Sequence, residues 1–154
     1  MHGNDRNHST EPDAHRSSEI GISTFLAEHG ITPTRQRVAI ANHMFERNQH
    51  LSADVILERV NRDSTSTTVS KATVYNTLKL FVREGILREV AIDPQRVLFD
   101  TNIHSHHHVL DVDTGEIRDI TPLEIDLSKF TDLNESEKIH SVDLVIKVRS
   151  TPQT

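Results

Sequence analysis

Residues 104–108 read His104-Ser105-His106-His107-His108, in a chain that contains no cysteine. Imidazole is the commonest metal-ligating side chain. On an extended segment alternate side chains share a face, so His104, His106 and His108 project one way and His107 the other. That spacing predicts a cation on one face and a second on the opposite face. Carboxylates extend the set: Asp100 lies just upstream, Asp119 falls on a returning strand, and His50 is placed to reach over from a preceding module. Imidazole and carboxylate together suit Fe²⁺, Mn²⁺ or Zn²⁺. The competing reading is a histidine-rich loop that picks up metal adventitiously, as an expression tag does. A hydrolytic metalloenzyme would need an open coordination position with a general base beside it. Five candidate ligands around one ion leave little room, and no spare Glu/His pair accompanies them, so the chain reads as a binding protein and not an enzyme.

These side chains need a frame, and the segment before them supplies an α-helical one. Ser18 to His29 patterns as a helix ending at Gly30, a good C-cap residue. Thr32-Pro33 predicts an N-cap followed by proline at the first helical position, with Val38, Ala41, Met44 and Phe45 on one face. A third helix starts at Ser52, carries Asp54 in its first turn and buries Ile56, Leu57 and Val60. After a Ser/Thr-rich loop over 64–70, a fourth presents Val74, Leu78, Phe81 and Val82 inward and stops at Gly85. Then the pattern alternates: 86–92, a turn over 93–95, and 96–99 read as a two-stranded hairpin. Helices closed by such a ribbon predict a winged helix-turn-helix, whose last helix enters the major groove while the wing meets the backbone. On that helix Ser70, Lys71, Thr73, Tyr75, Asn76 and Lys79 offer hydroxyls and cations for phosphate, an amide for adenine and an aromatic ring for thymine methyls. Arg35 and Arg37 are further phosphate candidates. The same composition also suits an ordinary solvated helix face.

Beyond Asp100 a smaller α/β pattern follows. The expected elements are a strand over 106–112, a turn at Asp113-Thr114-Gly115, a strand over 116–120, a short helix over 122–130 and a long strand over 138–149. Roughly 50 residues make a poor independent core. This module is therefore expected to lean on a second copy of itself, and a homodimer matches the twofold half-sites that helix-turn-helix readers use. The fold class is α+β: a tail over 1–17, a winged-helix domain over 18–100, and a dimerisation domain over 101–154.

Charge follows the same division. The net charge of −6 over 154 residues argues weakly against nucleic acid, but residues 33–100 carry ten basic and eight acidic groups, whereas 101–154 carry five and ten. A mildly basic middle suits phosphate and an acidic end suits a cation. The chain is 26% charged with a mean hydropathy of −0.48 and has no apolar run near the ~20 residues of a membrane span. Its polar start reads as a flexible tail rather than a signal peptide. The lack of cysteine fits a reducing cytoplasm.

Three blocks carry a resemblance to a known family: Gly30-Ile31-Thr32-Pro33-Thr34-Arg35-Gln36-Arg37, His50-Leu51-Ser52-Ala53-Asp54, and Lys71-Ala72-Thr73-Val74-Tyr75-Asn76-Thr77-Leu78. With His106-His107-His108 they make the chain, over about residues 20–149, resemble the ferric uptake regulator (Fur) superfamily. Phe99-Asp100-Thr101-Asn102, Asn76, the triple histidine and the ending over 142–149 look most like its iron response regulator (Irr) subgroup. The resemblance implies a dimeric, sequence-specific repressor with a regulatory metal at His50, Asp100, His106, His108 and Asp119. It further implies a second metal at His107, His140 and an acid, Asp126 or Glu124, and a base-contacting role for Tyr75. Two departures matter. Without cysteine there is no Cys-based structural zinc and no Cys-Pro haem motif, so any haem would have to use His104–His108. The paired aspartates at 100 and 119 resemble instead the PerR branch, where iron-bound peroxide oxidises a ligand histidine and releases DNA. The expected function is thus an iron- or haem-responsive repressor of the Irr kind, with a PerR-like peroxide sensor as the alternative. A metal-storage protein would have no use for the Tyr75 helix and the wing.

Overall fold

Hydroxyl side chains begin three of the helices. In the computed structural model, which describes residues 19–65, 67–93, 95–120, 126 and 133–149, Thr34 accepts from the backbone N–H of Arg37 (3.4 Å), Ser52 from Val55 (3.3 Å) and Ser70 from Thr73 (3.1 Å). Each satisfies a donor that the first helical turn leaves open, worth about 1 kcal/mol. The helices are α1 (Glu19–Glu28), α2 (Arg35–Met44), α3 (Ala53–Asp63) and α4 (Lys71–Arg83). The cap of α2 corrects the expected one at Thr32. The helix begins two residues later than expected, so Pro33 lies before the cap and not in the first turn. The Thr34 N–H turns back to the Thr32 carbonyl (3.0 Å), and Thr34 becomes the cap.

Glycine ends α1 and α4 as the sequence predicts. Gly30 and Gly85 adopt φ of 74° and 75°, where a side chain is disfavoured. The following residues, Ile31 and Ile86, donate back to Leu26 (2.9 Å) and Phe81 (3.0 Å) and bury their side chains. The core of this unit gathers Ile22, Leu26, Ile40, Met44, Ile56, Val60, Val74, Leu78, Phe81 and Phe99, all essentially inaccessible to solvent. Leu57 and Val82, expected inward, are only partly buried, and Thr77 takes an inward position on α4.

The wing has three strands where the sequence suggested two. β1 (His50–Leu51), β2 (Arg88–Asp93) and β3 (Arg96–Asp100) form an antiparallel sheet in the order β1-β3-β2. Two residues are too few to show alternation, so β1 leaves no periodic signal. Its register is nonetheless decisive: His50 pairs with Asp100, and Leu51 with Phe99. On the other side of β3, Arg88 pairs with Asp100 and Glu89 with Phe99.

The chain divides into two compact units, one ending at Ile103 and the other beginning at His104. The second holds β4 (His107–Asp111), β5 (Ile117–Ile120) and β6 (Val145–Val148), in the order β5-β4-β6. β4 and β5 are antiparallel, and β6 runs parallel to β4. The turn between β4 and β5 is built by Asp111, whose carboxylate accepts from the N–H groups of Asp113 (2.9 Å) and Thr114 (3.1 Å), with Gly115 at φ 75°. The expected long strand over 138–149 shrinks to β6. Ahead of it, the Ser141 hydroxyl donates to Asp143 (3.4 Å), a local bond of the kind that competes with a strand ladder. The expected helix over 122–130 lies outside the described residues except for Asp126, as does the tail over 1–17.

Candidate metal centre

Two groups of ligating side chains form, one in each unit. In the first, the β1–β3 register sets His50 opposite Asp100, with His50 Nε2 3.2 Å from Asp100 Oδ2. The Asp100 side chain is almost wholly buried, at 1% exposure, and its Oδ1 accepts from the Asn102 N–H (2.8 Å). A buried carboxylate is costly unless positive charge or donors face it, so this pair is prepared for a cation. Gln49 and Thr101, which sequence reasoning passed over, hold the pair in place. The Gln49 N–H donates to the Thr101 hydroxyl (3.1 Å), and the Thr101 N–H returns to the Gln49 carbonyl (3.4 Å). The Gln49 amide also donates to the carbonyls of His43 (2.7 Å) and Met44 (3.0 Å) at the end of α2 and accepts from Arg59 (3.3 Å). The one available signal was adjacency to two candidate ligands.

In the second unit, β4 and β5 pair His108 with Asp119, and His106 lies two residues before His108 on the same face. The Nε2 atoms of His106 and His108 are 2.9 Å apart, and Asp119 Oδ1 lies 3.3 Å and 3.6 Å from them. His106 Nδ1 is 2.7 Å from the His104 carbonyl. A carbonyl only accepts, so Nδ1–H donates to it and the lone pair of neutral His106 is left on Nε2. Three potential ligand atoms therefore converge, His108 Nε2 donating to His106 Nε2 when no ion lies between them. A divalent ion fits them closely: donors at ~2.1 Å from a common centre, 90° to 120° apart, lie ~3.0–3.6 Å from each other. The expected alternation of His106 against His107 is present, but His104 is exposed and contributes its carbonyl instead of its ring.

The exposed face of α4 carries Tyr75 and Asn76, with Lys71 and Lys79 alongside. Ser70 is occupied as the helix cap, and its hydroxyl also meets that of Thr73 (2.9 Å). Both lysines face carboxylates: Lys71 lies 2.7 Å from Asp54, which raises its pKa, and Lys79 is bonded to Glu89 of β2. Tyr75, 39% exposed, meets Phe99 in a T-shaped ring contact with centroids 6.2 Å apart. Arg37 donates to the Thr32 carbonyl (3.0 Å) and lines a groove with Thr73 and Asn76. Arg35 is exposed.

Residues 28–148 match the Ferric uptake regulator family. The chain belongs to that family.

Among this Fur-family chain's relatives is the peroxide-responsive repressor PerR of Staphylococcus aureus (strain Mu50), 32% identical over 114 residues, covering 74% of this chain and 70% of the relative. Similar solved structures include the ferric uptake regulator of Francisella tularensis with iron (TM-score 0.65, 25% identity, 79% of this chain and 92% of that one). The ferric uptake regulator of Pseudomonas aeruginosa with manganese gives a TM-score of 0.61 at 26% identity, covering 83% and 96%. Membership makes the chain a metal-responsive, DNA-binding transcription regulator that acts as a dimer, with a winged helix and a dimerisation domain. Among the described residues no helix is long and apolar enough to cross a membrane.

The second ligand set implied by the Fur resemblance falls only partly within the described residues. His107 is buried on the opposite face of β4, and its Nδ1 lies 3.4 Å from the Leu144 N–H. His140 is exposed and precedes β6 instead of lying on the last strand, Asp126 is exposed, and Glu124 lies outside the described residues. None of His107, Asp126 and His140 joins a group of three ligating side chains among the described residues.

Proposed function

We propose that this Fur-family chain is a homodimeric repressor whose affinity for a double-stranded operator is set by one divalent ion, Fe²⁺ or Mn²⁺, with Zn²⁺ as a competent substitute. His106, His108 and Asp119 hold the ion, and His50 and Asp100 complete its shell from the winged-helix unit. The observation that carries this reading is the convergence of His106 Nε2, His108 Nε2 and Asp119 Oδ1, with the His106 proton kept on the far nitrogen by the His104 carbonyl. Occupancy would order the strands that carry the ligands, and a preorganised reading head binds DNA more tightly than a free one. Tyr75 and Asn76 read base edges, while Arg35, Arg37, Lys71 and Lys79 meet phosphates and Ser70 and Thr73 secure the helix start.

The test separates the two faces. Protein purified without an affinity tag is assayed for metal content, then titrated with operator duplex with and without that metal. His108→Ala is expected to empty the site first and weaken DNA binding as a consequence. Tyr75→Ala is expected to weaken DNA binding with metal content unchanged. If both variants lost metal and DNA affinity together, the division of labour would be wrong.

The finer assignment concerns the signal. The Irr-like features at Phe99–Asn102 and His106–His108 favour iron as the effector. The ligand geometry favours a bare ion over haem, because two Nε2 atoms 2.9 Å apart leave no plane for a macrocycle between them. The two aspartates and the PerR relative favour a second reading, peroxide sensing. Peroxide treatment of the Fe²⁺ form would then add one oxygen atom to His50 or His106, and the Mn²⁺ form would gain none.

A further inference from the structure

The row of residues beside the metal ligands on the wing sheet is also the row on which the DNA-reading helix rests. Across the three strands, His50, Asp100 and Arg88 form one register row, and Leu51, Phe99 and Glu89 form the next. Adjacent rows face opposite sides of a sheet. The first therefore carries the ligands, and the second faces the helices. Two members of the second row touch α4: Phe99 meets the Tyr75 ring in a T-shaped contact, at 86° between planes, and Glu89 holds Lys79. Tyr75 and Lys79 are one helical turn apart and share a face of α4. Phe99 is wholly buried and Leu51 nearly so, which leaves the row little freedom to move independently of its strands.

We propose that Phe99 is a positioning residue that transmits occupancy of the His50–Asp100 ligand pair to Tyr75, with Glu89 as a second arm acting on Lys79. β1 pairs with β3 through only two ladder residues and the flanking Gln49–Thr101 bonds, and an ion shared by His50 and Asp100 would add a further tie between the strands one residue from Phe99. A pinned Phe99 fixes the surface against which Tyr75 rests. The proposal builds on the reading that His50 and Asp100 bind the ion and that Tyr75 faces DNA.

The chain reports on this directly, because Tyr75 is its one tyrosine and it has no tryptophan. Tyrosine emission therefore comes from the reading residue alone. The full-length metal-free protein is titrated with Zn²⁺, which has no redox chemistry of its own. Acrylamide quenching of Tyr75 is followed in one arm and zinc binding by calorimetry in another. In the wild type, quenching is expected to fall with the same stoichiometry as zinc binding. In Phe99→Leu, zinc still binds, but the change in quenching is lost. Phe45→Leu is the control for mere loss of a core ring: Phe45 is buried against Phe25 and Phe81, and its variant is expected to keep the wild-type response. Should Phe99→Leu not fold, Phe99→Met preserves more of the volume and makes the same prediction. Glu89→Gln, at a partly exposed site, is expected to reduce the zinc-dependent gain in operator affinity while leaving zinc binding intact.

A full quenching response in Phe99→Leu or Phe99→Met, or no response in a wild type that binds zinc, overturns the proposal. Failure of the underlying reading looks different. If zinc binds and shifts Tyr75 but operator affinity ignores it, the repressor assignment fails and the coupling stands. If operator affinity responds to zinc and Tyr75 does not, only the coupling fails.

Discussion

Replacing Gln49 by alanine tests whether the ligand pair is held by the sheet or by the helices behind it. The Gln49 amide makes three side-chain hydrogen bonds, to the carbonyls of His43 and Met44 and from Arg59, at 2.7, 3.0 and 3.3 Å. The side chain is part-buried, so each bond is worth about 0.5–1 kcal/mol net, and their joint loss about 1.5–3 kcal/mol. The winged-helix unit is a small domain in which 1 kcal/mol moves Tm by about 4–8 °C, so the expected drop is roughly 6–24 °C by calorimetry of the metal-free protein. The consequence for the site is larger than its distance in sequence suggests. β1 retains only its two ladder residues and the Thr101 bonds, so His50 loses its fixed position and zinc affinity falls with the stability. Thr101→Val removes the hydroxyl that accepts from the Gln49 N–H and is expected to act in the same direction with a smaller effect. Gln49→Glu is the sharper probe, since it turns a donor into an acceptor facing two carbonyls and should cost more than alanine. A Gln49→Ala protein with wild-type Tm and zinc affinity would refute this account and leave the β1–β3 ladder as sufficient.

Two other outcomes follow from contacts already described. Asp54→Asn removes the carboxylate opposite Lys71, freeing a cation at the start of the reading helix; affinity for random duplex should rise, and its salt dependence should steepen by up to about one unit in the log–log slope. An unchanged slope would mean that Lys71 does not reach phosphate. Asp111→Ala removes two hydrogen bonds from the β4–β5 turn, about 1–2 kcal/mol, and should weaken zinc binding by roughly tenfold although no ligand is altered.

What could be read from the sequence was what local chemistry determines. Ser52 and Ser70 were legible as caps because a hydroxyl before an apolar-periodic run has one good use, and Gly30 and Gly85 because positive φ favours glycine. The cap falls on Thr34 and not Thr32 because Thr32-Pro33-Thr34 offers two hydroxyls, and residue type alone does not choose between them. β1 was invisible because its identity comes wholly from its partner. The ligands were nominated one at a time from residue type, but the contact between His50 and Asp100 is a product of β-register that no spacing encodes. His140 was placed on a strand by the apolar pattern over 139–148, and the Ser141–Asp143 bond shows why the strand begins later.

Register is the physical link between the turn and the metal. His106, His107 and His108 are chemically the same, and only the pairing of β4 with β5 decides which of them faces Asp119. A slip of one residue would exchange His107 for its neighbours and carry buried side chains to the wrong face. Asp111, Thr114 and Gly115 set that pairing through a turn with one positive-φ residue and a carboxylate that satisfies its amides. The winged-helix unit repeats the logic: His50 meets Asp100 because Leu51 meets Phe99, and the burial of that apolar pair gives the register its energy. In both units the ligand geometry is thus imposed by residues that bind no metal. Selectivity can accordingly be tuned through turns and core pairs while the histidines and aspartates stay the same.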